Sequence, residues 1–222
     1  MLKTFTNKDN PMVFNVNAYL LINEESHQAI LIDTAMMGEA IIQFIYENNL
    51  VLTDIFITHF HFDHIATLDM LQKELHPKIH IGQKDLAFLF NPETNGTARI
   101  GVKFDLVQDD NFVAITAESE VTIDGFTIKA IPFGGHTPGT TFYVVNDEYA
   151  FVGDTLFKNK IGFHTKNRDG MMLCDDERFF LSLDYIVDNF SNYLICPGHH
   201  EELFRVSEVI SNPDHPYHSM RD

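Results

Sequence analysis

The chain has 222 residues, of which 45% are hydrophobic and 21% charged, a balance that excludes disorder as its main state. Fifteen Lys and Arg face 32 Asp and Glu, for a formal net charge of -17; such a surface repels phosphate backbones and anionic lipid, so neither nucleic acid nor membrane is an expected partner. The two cysteines, Cys174 and Cys196, make no disulfide scaffold, and Met1 to Lys8 hold no apolar core of signal-peptide length, so a cytoplasmic protein with reduced thiols is expected.

Val13 to Ile22 and Ala29 to Ile32 are rich in β-formers and are separated by Asn23-Glu24-Glu25-Ser26, which predicts a hairpin. Ile41, Phe44 and Ile45 mark an amphipathic helix over Gly38 to Asn49. Asp54 to Thr58 is a short buried strand, followed by a helix over Ala66 to Leu75 and a strand over Lys78 to Ile81. Asn91 to Asp110 is polar and contains glycine, and is expected to be a long loop serving as a lid or site wall. Strands follow over Glu120 to Ile123, Phe126 to Ile131, Thr140 to Val145 and Tyr149 to Val152, with Asn146-Asp147 as a hairpin turn. Phe179, Leu183, Ile186 and Phe190 have helical spacing. Tyr193 to Cys196 is a strand, Glu201 to Ser211 a last helix, and Asn212 to Asp222 a tail. The strand–helix alternation predicts layered α/β structure, with two sheets and helices outside.

The chemistry begins one residue past a strand, at His59-Phe60-His61-Phe62-Asp63-His64. In extended backbone, residues two apart point the same way, so His59 and His61 can reach one metal ion. Where the chain turns, Asp63 and His64 can reach a second. Imidazole is the commonest metal ligand, and carboxylates suit hard cations. Three more segments each set a His or Asp just past a strand: Gly134-Gly135-His136-Thr137-Pro138-Gly139, Gly153-Asp154-Thr155-Leu156-Phe157 and Pro197-Gly198-His199. Strand carboxyl ends are where layered α/β proteins commonly bind ligands. Asp33 is either a partner of a ligand imidazole or a turn cap. His200 points away from its neighbour His199, and His27, His76, His80, His215 and His218 are read as surface residues. Cys196, at a strand end, is read as packed.

In this order the motifs resemble the metallo-β-lactamase superfamily, and within it the glyoxalase II-like hydrolases, from about Val13 to Glu201. Asn17-Ala18-Tyr19-Leu20-Leu21 and Leu31-Ile32-Asp33-Thr34 are similar to that group's opening hairpin. The resemblance implies a single α/β domain over residues 1–222 (α+β in some schemes), a four-layer αβ/βα sandwich with two similar halves meeting near 115–120. It implies that His59, His61 and His136 bind one ion, that Asp63, His64 and His199 bind another, and that Asp154 bridges them. A hydroxide between the ions would be the nucleophile, and Asp63 would also be catalytic, holding the attacking water in line. The chain departs from the group in three places. Ala66-Thr67 stand where small glycines are usual, and Phe163-His164 where an Arg is frequent. The glutathione-gripping helical domain of full-length glyoxalase II is not expected. His164, Lys166 and Arg168 are either a new anion contact or an exposed polar loop.

These features imply a dinuclear hydrolase of a small thioester or ester, with a lactone as the nearest variant. The alternatives are a mononuclear-iron sulfur dioxygenase acting on persulfides and an idle metal-binding module. Two divalent ions are expected, zinc first, with iron or manganese as alternatives, because mixed His and carboxylate ligation suits all three. The expected partner is a small-molecule substrate, and nothing in the residues speaks to oligomeric state.

Overall fold

The computed structural model describes residues 1–8, 15–165, 173–200 and 203–219. Eleven strands form two sheets among these residues. The first sheet contains β1 (Leu2–Asn7), β2 (Val16–Asn23), β3 (Gln28–Ile32), β4 (Val51–Ile57), β5 (Lys78–Gly82) and β6 (Phe112–Ile115), side by side in chain order. The β1–β2 and β2–β3 pairs are antiparallel, and the remaining three are parallel. Helices α1 (Gly38–Glu47), α2 (Phe62–Ile65), α3 (Leu68–Leu75), α4 (Gln83–Leu89) and α5 (Pro92–Asn95) fall between these strands. The second sheet holds β7 (Ser119–Ile123), β8 (Phe126–Pro132), β9 (Thr141–Val145), β10 (Tyr149–Gly153) and β11 (Leu194–Pro197), in the order β11-β10-β9-β8-β7. Only its β10–β11 pair is parallel. Helix α6 (Asp176–Asn189) precedes β11, and α7 (Val206–Ile210) and α8 (Pro216–Ser219) follow it.

Alternation along the strands explains the layers. In β2, Tyr19 and Leu21 face inward while Ala18, Leu20 and Ile22 face α1 and α3; in β9, Tyr143 and Val145 face inward while Phe142 and Val144 face α6. Both faces of each sheet are therefore apolar, as covered sheets require. Tyr19, Ile30, Ile32 and Phe56 of one sheet meet Ile128, Tyr143, Phe151 and Cys196 of the other in a common inner core. This is the four-layer α/β sandwich.

The sheets are also pinned together at one edge. The Tyr143 hydroxyl donates to the Ile57 carbonyl (2.8 Å), and the Thr141 N–H donates to the Thr58 carbonyl (2.9 Å). On the other side of that edge the Tyr19 hydroxyl donates to the Pro197 carbonyl (2.7 Å), and the Asn17 N–H to the Gly198 carbonyl (2.7 Å). The turn at Asn146-Asp147 has both residues at positive φ, 55° and 51°, as a two-residue hairpin demands.

Several expectations need correction. The strand β1 went unread because Leu2 to Asn7 bury only Phe5, and pairing with β2 holds it. The helix expected over Ala66 to Leu75 is α3, which starts at Leu68, and the short helix α2 before it was not expected. Helix α4 and strand β6 were not anticipated. The segment from Asn91 to Asp110 is not one loop: it begins with α5, capped by the Asn91 side chain. Further on it is bonded along α3, where Gln72 both donates to and accepts from Val107, and Asp69 accepts from the Asp105 N–H. The last helix is confined to Val206–Ile210, because Phe204 instead bridges to Ile195; Glu201 and Glu202 lie outside the described residues. His80 is buried, stacked on Phe56 at 4.3 Å and bonded to Asp54 at 2.6 Å. His215 is buried as well, with Nε2 on the Phe157 carbonyl. Both cysteines are buried and outside any disulfide, and burial pushes the Cys196 thiol well up, so it packs rather than reacts. No helix among the described residues is long and apolar enough to cross a membrane.

Candidate metal centre

The pinned edge is also where the motif residues meet. The parallel strand β4 ends at Ile57, and His59 to His61 continue in irregular, extended backbone before Asp63 and His64 enter α2. The β8–β9 loop presents His136, β10 leads into Asp154, and β11 leads into His199. Three groups of potential ligand atoms lie within 4.8 Å of one another: His59, His61 and His136; His59, His64 and Asp154; and Asp63, His64 and His199. Together they take in all seven motif positions.

Hydrogen bonds set the direction of each lone pair. His136 Nδ1 lies 2.7 Å from the Phe163 carbonyl, which only accepts, so Nδ1 carries the proton. The His136 Nε2 lone pair then faces inward, 3.1 Å from His61 Nδ1. Asp33 stands at φ 56° after β3. Its Oδ1 accepts from the Thr58 N–H (2.8 Å), and its Oδ2 accepts from the Thr58 hydroxyl (2.7 Å) and from His64 Nδ1 (2.8 Å). Because the Thr58 hydroxyl donates to Asp33, its oxygen is left to accept from His59 Nδ1 at 3.0 Å. Asp33 is thus a partner of His64 and, through Thr58, of His59, as imidazole ligands commonly require.

The inward atoms are buried. His59 Nε2 and His61 Nε2 have no hydrogen-bond partner among the described residues, and His64 Nε2 and Asp154 Oδ1 face each other at 3.3 Å. Such a cluster is costly unless a cation occupies it, so the donor set fits metal ions. Gly198 makes the approach possible, since a Cβ there would overlap the Asp154 carboxylate.

Charge divides the site. Burial, reinforced by neighbouring imidazoles, holds His59 well below the usual range and His61 at about 3, and burial lowers His136 too. These three are neutral. Burial also opposes the charge on His64 and His199, but the carboxylates of Asp154, Asp33 and Asp63 overcome it at His64, and those of Asp154 and Asp63 do so at His199. His64 is raised well above its ordinary value and His199 to about 10. Burial would raise Asp63 and Asp154, yet His64 and His199 keep both below the usual carboxylate range. His199 Nε2 lies 3.0 Å from Asp154 Oδ2 and 3.3 Å from Asp63 Oδ2.

A cavity of about 440 Å³ adjoins His199, walled by Phe157, Lys158, Lys160, Pro197 and His200. Lys158 and Lys160 did not stand out in the sequence, since surface lysines carry no spacing signal. The Thr58 and Phe163 contacts were also missed; a backbone carbonyl leaves no trace in residue type. His164 is half-buried in a loop and stacks on Phe179 at 5.1 Å. Lys166 and Arg168 lie outside the described residues.

Residues 11–199 match the family model described as the metallo-beta-lactamase superfamily. The chain belongs to the metallo-beta-lactamase superfamily. It is 29% identical over 208 residues to the probable metallo-hydrolase M6_Spy0554 of Streptococcus pyogenes serotype M6, covering 89% of this chain and 84% of that one. It is 31% identical over 152 residues to the hydroxyacylglutathione hydrolase GloC of Haemophilus influenzae, covering 67% and 70%. The crystal structure of the BLEG-1 B3 metallo-beta-lactamase matches 99% of this chain and 100% of its own, with a TM-score of 0.81 and 25% identity.

Proposed function

We propose that the chain is a metal-dependent hydrolase with a two-ion centre, cleaving a small thioester or ester. The observation that carries this reading is the convergence of His and Asp donor atoms on one spot, with His59 Nε2 and His61 Nε2 buried and unsatisfied there. His59, His61 and His136 would hold one ion, Asp63, His64 and His199 the other, and Asp154 would touch both. Zinc suits this set, with iron and manganese as alternatives. When bound, the ions would supply an acidified water, with a pKa near 7, and positive charge for a developing oxyanion.

The chain's own residues do the rest. Asp33, Thr58 and the Phe163 carbonyl fix the imidazole tautomers. Asp63 orients the attacking water beside His199. The cavity at His199 receives the substrate; Lys158 in its wall is paired with Glu208 (3.2 Å), and the Lys160 ammonium suits an acyl compound carrying a carboxylate. The similarity to GloC supports a thioester, and the Streptococcus relative supports hydrolysis more broadly.

The test is a panel of thioesters, lactones, phosphoesters and persulfides, run on chelated and on zinc-reloaded protein. Thioester cleavage that vanishes on chelation and returns with zinc is expected. Full activity after exhaustive chelation, or oxygen uptake with a persulfide in place of hydrolysis, would overturn the reading. Asp63→Asn should lower kcat by about a hundredfold or more while KM changes little, the pattern of a group acting in the transition state.

A further inference from the structure

One buried carboxylate outside the ligand set is bonded to both loops that carry the His59–His61–His136 group. Asp85 stands in the first turn of α4 with no solvent exposure. Its Oδ2 accepts from the Thr137 hydroxyl (2.6 Å) and its Oδ1 from the Gly139 N–H (2.6 Å), and it also accepts from the Phe60 N–H. Phe60 lies between His59 and His61, and Thr137 directly follows His136. The seating leaves no slack: a Cβ on Gly139 would stand 2.6 Å from the Asp85 nitrogen and 2.8 Å from its Oδ1.

We propose that Asp85 is a positioning residue that locks the two histidine-bearing loops together and so sets the spacing of His59, His61 and His136. The inference rests on the two-ion reading given above. Hydrogen bonds to a carboxylate are shorter and stronger than neutral ones. Removing the side chain leaves the Phe60 and Gly139 N–H groups unpaired in the interior and the Thr137 hydroxyl with only the Thr140 hydroxyl at 2.8 Å. Each loop can then relax, and the first group loses its geometry while Asp63, His64 and His199, which Asp85 does not touch, keep theirs.

The experiment is chelator competition on the full chain loaded with zinc or cobalt(II), counting ions per chain by elemental analysis and identifying each by its cobalt absorption. His136→Ala and His199→Ala supply reference spectra for the two single-ion forms. Asp85→Ala should lose the first-group ion at about tenfold to hundredfold lower chelator, the range known for groups that support a ligand shell, and hold the second as wild type does. Thr137→Val, which deletes one of the three donors, should shift the same ion severalfold, and Asp85→Asn should restore part of the loss. If Asp85→Ala does not fold, the Thr137→Val and Asp85→Asn shifts decide. Two ions held with wild-type affinity in these variants, or both ions lost in parallel with a falling melting temperature, would overturn the role of Asp85 and leave the two-ion reading standing. A wild-type chain that binds no ion at the first group would overturn both.

Discussion

The two halves of the centre are built from similar residues but reach opposite charge states. At His59, His61 and His136 burial and neighbouring imidazoles outweigh the pull of Asp154 and Asp63, and these rings remain neutral. His64 and His199 face Asp154, Asp63 and, at His64, Asp33, and hold a proton. Imidazole is common to both halves, so the carboxylates decide. One half is ready for a cation as it stands; the other must first give up protons.

Asp154 is the residue that belongs to both halves, and its removal should have the largest effect. On the proposed two-ion reading, Asp154→Ala should lower turnover by about a thousandfold or more, since several kcal/mol of charge stabilisation would depend on both ions. Elemental analysis should show ion loss from both groups; loss from one alone would break the comparison. The pH response comes next. In the metal-free protein, His199 has a folded-state value of about 10 against an ordinary 6.5. Its stabilising contribution is therefore fully present below about pH 6.5 and is lost as pH rises through about 10. Metal must displace that proton and the one on His64, so affinity at the Asp63–His64–His199 group should rise about tenfold to a hundredfold per pH unit between 7 and 9. The His59–His61–His136 group, neutral throughout that range, should show no such rise. Titrations by calorimetry at several pH values read both slopes.

Asp33→Asn should sharpen the contrast further. It removes the carboxylate that bonds His64 directly and should weaken the second ion by about tenfold or more. His59, reached only through Thr58, should lose less. The smallest effect is expected from Tyr143→Phe, which removes the hydroxyl bonded to Ile57. Denaturant melts should show a loss of about 1 kcal/mol, the usual worth of one hydrogen bond, with ion content unchanged.

The motifs that meet at this edge were legible in the sequence because each is short and local. His59-Phe60-His61-Phe62-Asp63-His64 declares itself within six residues, and runs of β-formers mark β2, β8 and β9. What was illegible depends on distant partners. Leu2 to Asn7 become β1 only because β2 is there to pair with them. His80 reads as a surface residue until Asp54 and Phe56 come beside it. The choice between the two readings of Asp33 required His64 in place, 31 residues away. The two lysines of the cavity wall gain meaning only once β11 brings His199 next to them.

His59, His61, Asp63 and His64 hang from one sheet, whereas His136, Asp154 and His199 hang from the other. The apolar filling between the sheets therefore works as a spacer gauge for the chemistry at the rim. Reactive groups need placement within about 0.5 Å. A trimmed ring at Phe56 or Phe151, deep in that filling, would let the layers settle and pull the donors out of register. Catalysis would then fail in a protein that still melts cooperatively.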